Sequence, residues 1–356
     1  MQLIFIADGF MPFDMNDTRS LETWLLLSAI MIFVMALIGA VTRLEEAGLS
    51  ITEWNVITGA LPPLSTAAWQ AAFAKYQATP EFAARHFWME LDDFKYIYFW
   101  EWLHRLWGRL IGLVYALPLI YFWVRGQIPG GYKLPFLGLL GLGAAQGFVG
   151  WYMVQSGLLD RPDVSHFRLS IHLGLAAFIF ATLIWVRRGL TMNRTLVSVP
   201  VTPSFCLLRH GWAAMLAVAV TVVWGGFVAG LDAGKIYNTW PHMGYGLIPI
   251  ELLDPPSVFL VLAEHPAGVQ FMHRWLAILA AMLVLSFAWR VKSWPLAILI
   301  IAQVGLGLAT LLTVVWIPAA AAHQAGAFLV IAAMVQVLKP LQATYLAMPS
   351  AAKAAV

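Results

Sequence analysis

Four of the nine histidines lie inside long apolar segments, where a polar side chain needs a partner or a function. They are His104, His172, His273 and His323. The other five lie in loops or at interfaces, where we expect solvated side chains: His86, His166, His210, His242 and His265. A single histidine in an apolar segment usually serves packing or hydrogen bonding. The four in apolar segments form two pairs at matching positions in the two halves of the chain. Paired imidazoles from neighbouring helices can bind the two faces of a haem iron. The pattern therefore predicts one haem-sized site in each half.

Small residues near the histidines favour a haem over a bare metal ion, because they leave space for a flat macrocycle. These glycines are Gly108, Gly112, Gly174 and Gly326. Zinc or copper fits less well, because the second half has no carboxylate or thiolate at matching positions. Cys206 is the only cysteine, which excludes an intramolecular disulfide and a cysteine-rich metal site.

The two predicted sites differ in one charged residue. Glu101 precedes His104 by one helical turn, so both side chains lie on one face of a helix. The equivalent residue before His273 is Gln270, which is uncharged. A carboxylate inside a membrane span is costly and usually functional. We therefore predict that the first site performs chemistry and the second serves electron transfer or structure.

An arginine directly follows one histidine of each pair. Arg105 follows His104, and Arg274 follows His273. Each guanidinium group could bind a haem propionate through charge-assisted hydrogen bonds. Each could equally extend along the helix to the lipid headgroups. The sequence does not choose between these two interpretations.

The composition identifies the elements that must position these residues. The chain is 61% hydrophobic and 11% charged, with a mean hydropathy of +0.78, whereas soluble domains average about 25% charged residues. We therefore expect an all-α polytopic membrane protein, with the four histidines on its even-numbered spans. The eight predicted spans are residues 24–43, 97–124, 134–155, 168–187, 211–231, 270–290, 294–316 and 319–338. Pro318 is the expected break between the last two.

The distribution of basic residues predicts the orientation. Eleven Lys and Arg residues flank the side that holds both termini, and seven flank the other side, which holds two long loops. Basic residues are enriched in cytoplasmic loops. We therefore expect both termini in the cytoplasm and both long loops outside.

The chain contains an internal repeat that relates these features. The segment GAVTRLEEAG at 39–48 aligns with GGFVAGLDAG at 225–234, and LHRLWGRL at 103–110 aligns with MHRWLAIL at 272–279. Further matches are Trp54 with Trp240, Gln146 with Gln303, Gly150 with Gly307, and His172 with His323. We expect two four-helix bundles, residues 1–200 and 201–356, related by a pseudo-two-fold axis along the membrane normal.

Four segments resemble the haem A synthases of alphaproteobacteria and mitochondria, and the resemblance extends over essentially the whole chain. They are TRLEEAGLSITEWNVITGALPPL at 42–64, DDFKYIYFWEWLHRLWGRLIG at 92–112, LDAGKIYNTWPHMGYGLIPI at 231–250 and VQFMHRWLA at 269–277. Some members of that family carry a cysteine pair in an outer loop. Cys206 alone cannot form it.

The resemblance implies a function and assigns the residues. It implies oxidation of the C8 methyl group of haem O to a formyl group, which gives haem A for aa3-type cytochrome oxidases. His104 and His172 would then bind the substrate haem O, with Glu101 essential to the reaction. His273 and His323 would bind a resident haem b. It also implies a bacterial inner-membrane location.

Two other functions remain open from the residues alone. A di-haem b electron-transfer protein would account for four histidines but not for a carboxylate in one half only. A transporter would account for the repeat, but its polar residues would sit at mid-membrane breaks paired between the halves. As partners we expect haem O, haem A and membrane lipids, with transient contact to a haem O synthase or an oxidase assembly factor. We expect no nucleic acid, and the sequence leaves self-association open.

Overall fold

The computed structural model describes residues 15–55, 58–159, 163–195, 199–253 and 257–354. Within these ranges the chain is helical, and one isolated bridge between Met243 and Gly246 is the only extended pairing. Eight helices are long and apolar enough to cross a membrane. They are α1 (Met15–Leu44), α3 (Leu91–Val124), α4 (Lys133–Leu159), α5 (His166–Arg194), α6 (Phe205–Gly230), α8 (Pro266–Arg290), α9 (Trp294–Leu312) and α10 (Ile317–Ala347). The predicted all-α class and all eight predicted spans are confirmed.

The predicted break between the last two spans is also present. Helix α9 ends at Leu312, and α10 begins at Ile317 with Pro318 in its first turn. Proline is favoured in the first turn because backbone N–H groups there have no acceptor within the helix, so the N–H group that proline lacks is not needed. Val314 and Val315 in the connection both have positive φ, 55° and 63°.

The two halves pack together through α1 and α5 on one side and α6 and α10 on the other. The Gln324 side chain of α10 donates a hydrogen bond to the Ala36 carbonyl of α1 at 2.6 Å. Helices α5 and α6 approach so closely that a Cβ atom on Gly230 would lie 2.5 Å from the His166 Cβ atom. Glycine is required at that position because any side chain would separate the two halves.

Both long loops contain ordered structure. The first holds α2 (Thr66–Gln77) and a π-helical turn at Phe82–His86, and the second holds α7 (Val258–Glu264). A short helix α11 (Ser350–Ala354) follows the last span. The Ser65 hydroxyl caps α2 by accepting a hydrogen bond from the Ala68 N–H group at 3.2 Å.

One expectation for the loop histidines is wrong. We expected His86, His166, His210, His242 and His265 to be solvated, but His86 is only 5% exposed. Helix α2 packs over the start of α3, with Tyr76 stacked on Phe94, and this packing buries His86. Its Nδ1 atom lies 2.6 Å from the Tyr76 hydroxyl.

Candidate functional site

Each of the four membrane histidines packs against a glycine of a neighbouring helix. A Cβ atom added to any of these glycines would lie between 2.8 and 3.4 Å from the histidine Cε1 atom. The four contacts are Gly39 with His104, Gly150 with His172, Gly225 with His273, and Gly307 with His323. A larger residue at these positions would press on the imidazole ring and turn it. The glycines therefore fix where each ring lies.

A glutamine holds one histidine of each half from the same helix as its glycine. The Gln146 side chain donates to the His172 carbonyl at 3.1 Å, and the Gln303 side chain donates to the His323 carbonyl at 2.9 Å. Each amide nitrogen also lies within 3.3 Å of a ring nitrogen of the same histidine. These matched contacts are consistent with two equivalent four-helix halves.

The geometry of the second-half pair suits a haem. The ring centroids of His273 and His323 are 6.3 Å apart. Two metal–nitrogen bonds of about 2 Å, with the half-widths of two rings, separate the centroids of a bis-histidine centre by about 6 Å. The described residues contain no group of three or more His, Cys, Asp or Glu side chains arranged to hold a metal ion. Two histidines without further protein ligands fit a haem, whose macrocycle supplies the other four nitrogens.

The first-half pair lies on the equivalent helices α3 and α5. The Nδ1 atom of His172 is buried and has no hydrogen-bond partner among the described residues. A buried nitrogen without a partner is uncommon and requires an explanation. A ligand that binds this imidazole would supply one.

Glu101 is the charged centre of the first half. Its side chain is buried, with the residue 3% exposed. The Ser50 hydroxyl and the Ile51 N–H group each donate to Oε2 at 2.7 Å, and Arg105 donates to Oε1 at 2.5 Å. One helical turn separates Glu101 from His104. The structure therefore holds a fixed negative charge close to the first-half histidine.

Gln270 occupies the equivalent place in the second half and is equally buried at 3% exposure. Its amide group donates to the carbonyls of Ala233 and Ile236 at 2.9 and 2.6 Å, and its oxygen accepts from Arg274 at 3.2 Å. A neutral amide thus replaces the carboxylate, and the loop presents carbonyl acceptors to it in place of the hydroxyl and N–H donors around Glu101. The predicted asymmetry between the halves is present in their contacts as well as in their sequence.

Arg105 and Arg274 turn back into the two long loops. Arg105 donates to the carbonyls of Glu53 and Ile51, both at 2.8 Å, and lies 5.0 Å from the Trp54 ring centroid. These contacts are not those of a side chain extended to the lipid headgroups.

The second-half arginine makes equivalent contacts. Arg274 donates to the carbonyls of Tyr237 and His242 at 2.5 and 3.3 Å, and lies 5.9 Å from the centroid of Trp240. Each arginine therefore joins the helix that carries the first histidine of its half to the loop above it. Whether either also binds a haem stays a prediction.

The loop residues that donate hydrogen bonds to Glu101 were not predicted from the sequence. Ser50 and Ile51 lie in the segment GLSITEW at 48–54, which is part of the family resemblance, but nothing in that segment indicates which helix it contacts. The repeat alignment also did not predict that Gly39 and Gly225 contact histidines, although both glycines begin the aligned segments.

Comparison with known proteins places the chain in a defined group. The family model for a cytochrome oxidase assembly protein, COX15-CtaA, matches residues 22–335. A protein from Rhodospirillum centenum named "Heme A synthase" is 51% identical over 337 residues, which cover 91% of this chain and 89% of the relative. Proteins with the same name from Maricaulis maris and Beijerinckia indica are 45% and 44% identical. They align with 91% and 92% of this chain and with 97% and 94% of their own lengths.

Proposed function

Because the chain belongs to the COX15-CtaA family of cytochrome oxidase assembly proteins, we propose that it is a haem A synthase. It is then an oxidoreductase that converts the C8 methyl group of haem O to a formyl group. The observation that carries this proposal is the buried Glu101 carboxylate beside the histidine of only one of two matched sites. An electron-transfer protein with two equivalent haems has no need of that difference.

The two halves have separate roles in this proposal. His104 and His172 bind the substrate haem O in the first half, and His273 and His323 bind a resident haem b in the second. The 6.3 Å separation of the second pair supports haem binding there, and the Nδ1 atoms of His172 and His273, buried without a partner among the described residues, leave an imidazole in each half available to a ligand. The haem b supplies one-electron transfer when it is bound.

Glu101 acts by its charge and position. Conversion of a methyl group to a formyl group adds one oxygen atom, from water or dioxygen, and removes four electrons, which an external acceptor or the dioxygen takes up. Because electrons leave the methyl carbon, positive charge develops at the substrate edge during the reaction. A carboxylate held in place by Ser50, Ile51 and Arg105 stabilises such charge without rearranging. It also provides an oxygen atom to which a proton leaving the substrate can transfer.

Arg105 and Arg274 are proposed to bind the propionates of their respective haems. The Nε atom of Arg274 is buried and has no hydrogen-bond partner among the described residues, so one donor remains for such a ligand. The contacts with loop carbonyls then fix each guanidinium group before the haem arrives.

The protein is a multi-pass membrane protein, and we place it in the bacterial inner membrane. The excess of basic residues on the side that holds the termini supports a cytoplasmic location for both ends. The haem sites then lie toward the outer surface. Transient contact with a haem O synthase would supply the substrate, and contact with an oxidase assembly factor would remove the product.

The proposal is tested by extracting pigments from the protein purified after co-expression with a haem O synthase. We expect haem b together with haem O and haem A. The matched control is Glu101→Gln, which should contain haem b and haem O but little haem A. Wild-type protein that contains haem b alone would favour a di-haem b electron-transfer protein and would refute the synthase assignment.

A further inference from the structure

The first four-helix half has an open seam that the second half lacks. Helices α3 and α4 touch along little of their length, whereas the equivalent helices α8 and α9 pack closely. The difference is unexpected for two copies of one bundle. It lies in the half to which the proposed function assigns the substrate.

The equivalent helices α4 and α9 also differ in side-chain size. Counted from the matched pairs Gln146/Gln303 and Gly150/Gly307, Gly143 corresponds to Ile300 and Gly147 to Val304. A Cβ atom on Gly143 or Gly147 would meet no heavy atom within 4 Å. Ile300, in contrast, is 5% exposed and belongs to the hydrophobic core. The second half therefore buries a branched side chain at a position where the first half has an exposed glycine.

The facing helix shows the same difference. Counted from the match of His104 with His273, Gly112 of α3 corresponds to Ala281 of α8. Gly112 is exposed and a Cβ atom there would meet nothing within 4 Å, whereas Ala281 is 9% exposed and lies in the core. Both α3 and α4 therefore carry less side-chain volume at these positions than the matched helices α8 and α9.

The seam leads to the candidate site. A groove of about 480 Å³ is lined by Trp54 of the first loop and by Gly147, Phe148 and Trp151 of α4. Trp54 packs on Arg105, the partner of Glu101. On α4, Gly143 lies one turn before Gln146 and two turns before Gly150, the two residues that contact His172. The groove and the seam therefore border the Glu101 cluster at one end and the His172 contacts at the other.

We infer that the seam between α3 and α4 is a lateral portal through which the haem substrate passes between the lipid bilayer and the first-half site. The inference rests on the proposed function. A hydrophobic haem dissolves in lipid, and a portal that faces lipid lets it reach His172 without crossing water. The aromatic side chains of Phe148 and Trp151 are exposed at the groove and give the macrocycle an apolar entrance. The closed seam between α8 and α9 retains the resident haem.

The test compares variants that fill the portal with a matched control. Gly143→Ile introduces the residue that the second half uses, and Gly147→Val does the same one turn later. Gly141→Ile is the control, because Gly141 is on the opposite face of α4 and a Cβ atom there also meets nothing within 4 Å. Each protein is placed in nanodiscs and mixed with phospholipid vesicles that carry haem O. The absorbance change then reports the rate and the extent of haem transfer.

We expect Gly143→Ile to slow transfer at least tenfold while the haem b spectrum stays intact, which shows that the protein is folded. Gly141→Ile should transfer haem O at the wild-type rate. A wild-type rate in Gly143→Ile would overturn the portal, and so would an unchanged rate with less haem bound at equilibrium, because the residue would then belong to the site itself. Wild-type protein that binds no haem O would refute the proposed function instead.

The reverse change gives an independent test in the second half. Ile300→Gly removes the buried α9 side chain that corresponds to Gly143, so haem b should be lost to apomyoglobin at least fivefold faster than from wild-type protein. Val304 is 39% exposed, so Val304→Gly opens less buried volume and should have a smaller effect. Equal rates of haem b loss from Ile300→Gly and wild-type protein would overturn the inference that seam packing controls exchange.

Discussion

The substitution Glu101→Gln gives the first half the residue that the second half carries at the equivalent position. In the second half, Gln270 accepts a hydrogen bond from Arg274 at 3.2 Å and remains buried. A glutamine at 101 can accept from Arg105 in the same way, but its NH2 group then faces the Ser50 hydroxyl and the Ile51 N–H group, and that N–H group loses its acceptor. What disappears is the negative charge close to His104.

For Glu101→Gln we therefore expect a small loss of stability and a large loss of activity. Glu101→Gln leaves no cavity and keeps a contact with Arg105, but it leaves the Ile51 N–H group without an acceptor, so it should lower the free energy of unfolding by about 1–3 kcal/mol. Glu101→Ala leaves Arg105 without its carboxylate partner inside the protein and should cost about 3–5 kcal/mol. If the charge stabilises the transition state, both variants should lose about 10²–10³-fold in the rate of haem A formation.

Two measurements on the same preparations check this separation. Thermal unfolding in detergent, followed by the haem b absorbance, compares stability. Chromatography of extracted haems compares the ratio of haem A to haem O. Haem b should remain bound in both variants. Haem A formation by Glu101→Gln at more than a tenth of the wild-type rate would refute the argument, because a neutral side chain of equal size would then suffice.

Three further predictions concern the haem ligands, their glycine neighbours and the outer loop. His273→Ala and His323→Ala should each abolish the bound haem b spectrum, whereas the same change at His104 should preserve it; loss of haem b only from the first-half variant would reverse the assignment of the halves. Gly307→Leu should lower haem b content at least tenfold, because even a Cβ atom there would lie 2.8 Å from His323 Cε1, and normal haem b content would show that the ring is free to move. Burial raises the pKa of Glu81 from its ordinary value of 4.5 to about 8. Folding therefore favours its protonated form, so this contribution to stability is complete below about pH 4.5 and is lost as the pH rises through about 8. Glu81→Gln should reduce the fall in melting temperature between pH 5 and 9, and an unchanged pH profile would contradict the assignment.

The membrane helices were predictable because their signal is continuous. Each span is an apolar run of sufficient length, and the backbone satisfies its own hydrogen bonds within it. The break at Pro318 was predictable for a local reason as well, since proline restricts the chain at its own position. The histidine pairs were found because the internal repeat aligns each membrane histidine of the first half with one of the second half.

The surroundings of the site were not predictable, because they depend on contacts between distant segments. Ser50 and Glu101 are 51 residues apart in sequence, and their hydrogen bond forms only when the first loop folds back on α3. His86 was wrongly expected to be solvated for the same reason: its burial depends on α2, which packs against the start of α3. A pattern within one segment carries no information about such contacts.

The open seam and the buried carboxylate are two consequences of one requirement. In the proposed function a resident cofactor must exchange slowly, and the burial of Ala281 and Ile300 suits that requirement. A substrate must enter and its product must leave in every catalytic cycle, so the same positions must be small where chemistry occurs. Glu101 and the glycines Gly112 and Gly143 fall in the same half. A carboxylate beside a haem that never leaves would have one reaction to perform, whereas a carboxylate beside an open portal meets a new substrate in each cycle. The loss of side-chain volume is therefore as much a part of the catalytic half as the charge.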